Sequence, residues 1–175
     1  SYILDTAKKS GLFAKIHVST DSDEIYNYLS EIEFKPDFKR PKNLSGDHTK
    51  IIEVMKFVFK EYIKKEEYFD EIWLLMACSP LIEQKHLIEA SKIYLKSKNN
   101  EKLLAVTEYP VPIEWAFNIG ENNMLSPINP GKFAVRSQDF KKTYFDSGTF
   151  AIFRPNHLQN TNFESEDENF KGFIL

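Results

Sequence analysis

The sequence predicts an α/β chain: a mostly parallel sheet with helices on both faces. Three observations carry that expectation. Up to Thr107, segments with helical apolar spacing alternate with short apolar or β-branched runs. One of those runs, Glu71 to Ala77, is apolar at Ile72, Trp73, Leu74, Leu75 and Met76, as a strand buried on both faces requires. The chain has 175 residues, 42% of them hydrophobic and 14% aromatic, which is enough for one full core without disulfide staples.

The elements follow in order. Residues 2–10 carry Ile3, Leu4 and Ala7 on one helical face, and Gly11 suits the left-handed residue that ends a helix. Residues 15–19 alternate and include branched side chains, so they read as a strand. Asp21, Ser22 and Asp23 are capping residues for a second helix running to about Ser30. Phe34 to Leu44 holds two prolines and four basic residues and reads as a loop. Asp47 to Thr49 opens a long helix with a stripe of Ile51, Ile52, Val54, Met55, Val58 and Phe59. The run at 71–77 stops before Pro80, Glu83 to Ser97 is again amphipathic, and Leu103 to Thr107 is a third strand. Residues 109–132 then contain four of the eight prolines, so the chain leaves the sheet layers for a long excursion. Phe150 to Phe153 resumes as a strand. Glu164, Glu166, Asp167 and Glu168 read as a solvated loop, and Phe173 to Leu175 as the start of another strand.

Composition excludes several classes. The net charge is −3, whereas a protein that lives on phosphate contacts to duplex nucleic acid is normally basic, so no nucleic-acid partner is expected. A single cysteine, Cys78, rules out an intrachain disulfide framework and a cysteine-rich zinc site. No apolar run is long enough to span a bilayer and the first residues do not form a secretory leader, so no membrane partner is expected and the cytoplasm is the default location. Only Arg40, Arg136 and Arg154 are arginines among 23 basic residues. Their planar forks suit carboxylate and phosphate, although a lysine-rich bias accounts for the scarcity equally well.

No glycine-rich phosphate loop and no nucleophile elbow is present, and His17, His48, His86 and His157 show no paired ligand spacing. His17 sits in an alternating segment and reads as structural. In open α/β sheets ligands bind at the carboxyl ends of the strands. Ser19, Thr20 and Asp21 stand at one such end, where they either line a ribose or base pocket or cap the next helix. Ser79, in the turn after Ala77, either meets a nucleotide or closes the strand. Arg40 either hydrogen-bonds a base or phosphate or belongs to a solvated basic turn with Lys35, Lys39 and Lys42. Arg136, in Arg-Ser-Gln-Asp, either clamps a substrate carboxylate or makes a structural salt bridge across a subunit contact. Asp146, before Gly148, either holds a hydroxyl or metal or belongs to a turn before a strand, with the glycine permitting close backbone approach.

Taken together and in order, VSTDSDEI at 18–25, RPKNLSGDHT at 40–49, LLMACSPLI at 74–82, RSQD at 136–139 and FDSGTF at 145–150 resemble the acylneuraminate cytidylyltransferases. These enzymes make CMP-activated nonulosonic acids. The RSQD block followed closely by FDSGTF looks most like the pseudaminic acid branch. The resemblance covers roughly residues 2–155. It implies a three-layer αβα, Rossmann-like fold of the nucleotide-diphospho-sugar transferase type in a single domain over residues 1–175. It also implies a small lobe at about 110–145 that serves dimerisation, so a homodimer is expected. The implied reaction is CTP plus a nonulosonic acid giving the CMP-sugar and diphosphate, with Mg²⁺. The anomeric hydroxyl attacks the α-phosphorus, and catalysis rests on positioning and charge neutralisation.

By the same resemblance, Arg40 matches the arginine that reads cytosine. Ser19, Thr20 and Asp21 match the nucleoside pocket, and Ser79 the ribose side. Arg136, Gln138, Asp146 and Ser147 match positions facing the sugar. The chain also departs from the pattern. Met76 and Cys78 stand where the sialic acid branch has glutamine and threonine, which favours a pseudaminic substrate. The N-terminal Ala-Arg-Gly-Gly-Ser-Lys type loop and the C-terminal Asp-Ile-Asp metal motif do not occur in it. The expectation is therefore an internal portion of a longer enzyme, with no catalytic residue nameable in this stretch and metal ligands beyond Leu175. Two other readings stay open: a nucleotidyltransferase of the same fold for another base or sugar, and a non-catalytic nucleotide-binding remnant.

Overall fold

The computed structural model describes residues 2–160 and 169–175. The acidic run Glu164, Glu166, Asp167 and Glu168 lies outside the described residues. Helices α1 (Tyr2–Ser10), α2 (Asp23–Glu31) and α3 (Ile51–Lys64) precede strand β1 (Ile72–Leu75). Helix α4 (Gln84–Tyr94), strand β2 (Lys102–Glu108) and a hairpin of β3 (Phe117–Ile119) with β4 (Leu125–Pro127) follow. Strand β5 (Tyr144–Phe153), helix α5 (Pro155–Asn160) and strand β6 (Phe170–Ile174) complete the order.

Four strands form one sheet in the order β1-β5-β2-β6. β5 is antiparallel to both of its neighbours, while β2 and β6 are parallel. Three strands thus point one way and β5 alone points back. Side chains alternate across this sheet as the pleat demands. Leu103, Ala105, Phe150, Ile152 and Phe173 face Ile3 of α1 and Leu87, Ala90 and Tyr94 of α4. Ala151 and Phe153, with Ile72, Leu74 and Leu104 beside them, face Ile52, Met55 and Phe59 of α3 and Leu158 of α5. The result is helix, sheet, helix in three layers. Leu87, Leu103 and Ile152 have no exposed surface. At ~25 cal/mol per Å² of apolar area, burial of this kind is the main favourable contribution to such a fold.

Caps set the helix ends. Ser22 is the residue that caps α2; its Oγ accepts from the Ile25 N–H at 3.3 Å. His86 closes the start of α4, its Nδ1 accepting from the Glu83 N–H at 3.1 Å. Gly11 takes φ +66° just after α1, as a left-handed helix stop.

Residues 15–19 are not a strand; they carry no regular secondary structure and lie outside the ladders. Their alternation serves packing against other elements. Phe13 stands edge-on to Trp73 of β1, with ring centroids 5.3 Å apart. His17 lies against Phe38 at 4.5 Å, and its Nδ1 is 3.0 Å from the Tyr62 hydroxyl. Burial, more than any neighbouring charge, pushes the His17 imidazole down to about 4. Its role in this aromatic cluster is structural.

The excursion carries a small apolar centre of its own. Trp115 meets Phe133 and Phe140, and Phe117 meets Phe133. The Trp115 indole donates to the Val135 carbonyl at 3.2 Å. The β3–β4 hairpin pairs Phe117 with Pro127 and Ile119 with Leu125. The lobe leaves at the end of β2 and returns at the start of β5. There the Tyr109 N–H donates to the Thr143 carbonyl at 3.0 Å, and Lys142 pairs with Glu108 at 2.8 Å.

Candidate functional site

Because β1, β2 and β6 run the same way, their carboxyl ends share one edge of the sheet. Ser79 follows β1 there, β5 begins there, and the lobe rises from there. The residues singled out from the sequence fall into three groups around this edge.

The first group joins the 15–21 segment to the basic loop. Thr20 is buried; its carbonyl accepts from the Arg40 N–H at 2.9 Å, and its Oγ1 accepts from the Ser22 N–H at 3.2 Å. The Arg40 Nη2 donates to Asp21 Oδ1 at 2.9 Å. That guanidinium, with smaller help from the Asp21 main-chain N–H and the Ser45 hydroxyl, holds the Asp21 carboxyl below the usual carboxylate range. The loop is pinned again one residue earlier. Lys39 pairs with Asp23 and lies over the Tyr26 ring, 4.8 Å from its centroid.

The second group sits on the sheet. Met76 continues past β1, its N–H donating to the Thr149 carbonyl at 2.8 Å. Ser147 Oγ donates to the Ala105 carbonyl at 2.7 Å and lies 2.7 Å from Thr149 Oγ1. Between Leu104↔Ala151 and Val106↔Asp146, two steps along β2 answer five along β5, so β5 bulges outward. Gly148 adopts φ +63° in that bulge, and its N–H donates to Asp146 Oδ1 at 2.8 Å. The expected turn before a strand is thus a bulge within a longer strand. A Cβ on Gly148 would meet nothing within 4 Å, so the glycine serves the left-handed backbone and not a close approach.

The third group lies on the lobe. Arg136, Gln138 and Asp139 fold over one another across a short 3-10 turn. With the Gln138 carbonyl oxygen turned toward Arg136, it accepts from Nε at 2.9 Å and also from Nη2, while Nε is 3.7 Å from Asp139. Both side chains of that ion pair are mostly exposed. Among the described residues, no hydrogen bond or ion pair ties this group to the other two.

Three of the residues expected to meet the nucleotide hold a buried polar atom without a partner. Ser19 Oγ, Arg40 Nε and Ser79 Oγ are buried, and no protein group pairs with them. Leaving such an atom unsatisfied costs about 1–3 kcal/mol, so each calls for an explanation. Sequence reasoning missed Thr149 and Ser45. Thr149 was within reach of the pattern, because Ser147 and Thr149 share a face at strand spacing. Ser45 was not, because it meets Asp21 only through the loop's fold. A cavity of about 290 Å³ lined by Phe59, Ile63 and Leu158 lies between α3 and α5, on the helical face away from these groups.

A family model described as "Cytidylyltransferase" matches residues 1–164. The pseudaminic acid cytidylyltransferase of Campylobacter jejuni is 31% identical over 150 residues, covering 86% of this chain and 64% of that protein. The N-acylneuraminate cytidylyltransferase of Escherichia coli is 30% identical over 113 residues, covering 64% of this chain and 26% of that one. The chain therefore spans a little under two thirds of the Campylobacter relative's length. Among solved structures, a CMP:2-keto-3-deoxy-manno-octonic acid synthetase complexed with CTP superposes with a TM-score of 0.70. It is 13% identical, and the match covers 99% of this chain and 77% of that one. The 4-diphosphocytidyl-2C-methyl-D-erythritol synthase of Anaerococcus prevotii gives 0.57 at 12% identity, with the same coverage. At such identities the likeness is one of fold, and it agrees with the expected Rossmann-like nucleotidyltransferase architecture.

Proposed function

This chain belongs to the cytidylyltransferase family, and from that premise we propose that it acts in transferring a cytidylyl group from CTP to a nonulosonic acid, pseudaminic acid above all. The products are the CMP-sugar and diphosphate. The observation that carries the reading is the set of three buried, unpartnered polar atoms. They belong to Ser19, Arg40 and Ser79, three of the five residues assigned to the nucleotide. Hydroxyls of a ribose and acceptors of a pyrimidine satisfy such atoms.

In this reading Arg40 donates to the cytosine edge, while Ser19, Thr20 and Ser79 line the nucleoside. Arg136 and Gln138 approach the sugar acid from the lobe. Asp146 and Ser147 meet its hydroxyls from the bulge. The sugar's anomeric hydroxyl attacks the α-phosphorus and diphosphate leaves. The protein's contribution is to hold the two reactants in line and to place donors where charge develops. Mg²⁺ accompanying CTP would supply charge neutralisation at the phosphates. Among the described residues, no group of three or more His, Cys, Asp or Glu is placed to hold a metal ion.

The lobe supports a homodimer. Ile119, Met124, Leu125, Ile128 and Phe133 are all more than half exposed on it, an apolar surface that a second copy would cover. No helix among the described residues is long and apolar enough to cross a membrane. We place the protein in the cytoplasm, where nucleoside triphosphates are held.

The test is diphosphate release by the product of the whole gene, with CTP, Mg²⁺ and a panel of nonulosonic acids. Turnover is expected with CTP in preference to the other nucleotides and with one sugar acid. No release with any sugar, from a protein shown to be folded, overturns the reading.

A further inference from the structure

The sequence places Asp21 against the nucleoside, but its carboxylate is already engaged by the Arg40 guanidinium at 2.9 Å. Two further contacts fix the same arginine. Its main-chain N–H is held by the Thr20 carbonyl, and the neighbouring Lys39 is held by Asp23 and Tyr26. The Arg40 side chain is about a quarter exposed, and its Nε is buried without a partner. One end of the fork is thus tied to Asp21 while another donor stays unsatisfied.

We propose that Asp21 is a positioning residue: by holding Nη2 it aims the remaining donors of Arg40 at one edge of the pyrimidine and so sets the choice of cytosine over uracil. The inference rests on the reading of Arg40 as the residue that meets the base. Its chemistry is simple. Arginine has donors only. Cytosine offers two adjacent acceptors, O2 and N3. Uracil carries a hydrogen on N3, so a donor aimed there meets another donor. An arginine free to swing can answer either base through one carbonyl oxygen. An arginine held in one orientation accepts cytosine and leaves uracil with an opposed pair of donors. A site built around such a pair rejects the wrong partner far more strongly than a merely apolar pocket does.

The experiment compares direct binding of CTP and of UTP to the whole-gene product. Wild type, Asp21→Ala, Asp21→Asn and Arg40→Ala are measured at one Mg²⁺ concentration, with thermal melting as the control for folding. In wild type CTP is expected to bind at least about tenfold tighter than UTP. Asp21→Ala should bring that ratio close to one, mostly by letting UTP bind. Asp21→Asn keeps an acceptor for Nη2 and should restore part of the ratio. Arg40→Ala should weaken CTP and erase the preference. A purely structural role for Asp21 would weaken both nucleotides together and leave the ratio in place. That result, or an unchanged ratio in both Asp21 variants, overturns the inference while the reading of Arg40 stands. A wild type with no preference for CTP overturns the reading of Arg40 and the inference with it.

Discussion

Replacing Gly148 by alanine isolates the cost of the β5 bulge, because the substitution creates no new contact. Gly148 sits at φ +63°, and an added Cβ would find nothing within 4 Å. Steric overlap with neighbouring atoms therefore adds nothing. What remains is the penalty for placing an L-residue in the left-handed region, about 1–2 kcal/mol. Alanine also stiffens the unfolded chain, which returns about 0.4–1 kcal/mol where the native backbone is compatible and offsets part of the penalty here. The net expectation is a loss of about 1 kcal/mol. For a chain of this length that lowers the melting temperature by roughly 2–4 °C. Gly148→Asn should lose less, because a short polar side chain tolerates this conformation. Urea unfolding of the three proteins, with a common slope, is the assay. A Gly148→Ala protein as stable as wild type, or more stable, would refute the conformational argument. The bulge would then owe its shape to Ser147 and Asp146 and not to the backbone of Gly148.

Other expectations follow from the packing and from the site. His17 is held neutral by burial, with its folded pKa near 4 against an ordinary 6.5. Its contribution to stability is therefore present above pH 6.5 and is lost as pH falls toward 4. Urea midpoints measured from pH 7 to pH 4.5 should fall less steeply in His17→Phe, and an identical slope would discount this histidine. Leu87 has no exposed surface at the centre of the α4 face, so Leu87→Ala should cost about 2–5 kcal/mol in the same titration. Cys78 is exposed and adjoins Ser79, so CTP should slow its alkylation by iodoacetamide, as read by intact-mass spectrometry. Equal rates with and without CTP would separate that turn from the nucleotide.

Much of the layered fold was legible in the residues. The stripes of α1, α3 and α4 carry the helical period. The apolar run of β1 marks a strand by its shortness, but its four residues are half-buried at the end of the sheet and not buried on both faces as the run suggested. Two kinds of information were not. Alternation at 15–19 marks an extended segment with two different faces, and says nothing about whether a neighbour supplies a ladder. In this chain no ladder forms there, and His17 packs against Phe38 and Tyr62. The direction of β5 was equally hidden, because a strand's period is the same read either way. Its first half escaped notice because Asp146, Ser147 and Gly148 look like a turn, and the bulge makes them one inside the strand. The β3–β4 hairpin was concealed by the prolines around it. At the candidate site, residues could be singled out one by one from the sequence, but their connections could not. Asp21 and Arg40 are 19 positions apart, and only the docking of the basic loop brings the two charges together.

The neck of the lobe has a consequence for how such a protein can vary. Glu108 lies opposite Tyr144, Tyr109 bonds to Thr143, and the Tyr109 and Phe145 rings sit 4.7 Å apart. To the sheet, everything between these pairs is the turn of one β-hairpin. A turn can lengthen at small entropic expense once its stems are paired. Insertion, loss or exchange of material between Tyr109 and Thr143 therefore leaves the ladder of β2 and β5 untouched. The lobe is a cassette: the stretch between the two stems can be rewritten while the β2–β5 ladder and the core beneath it stay the same.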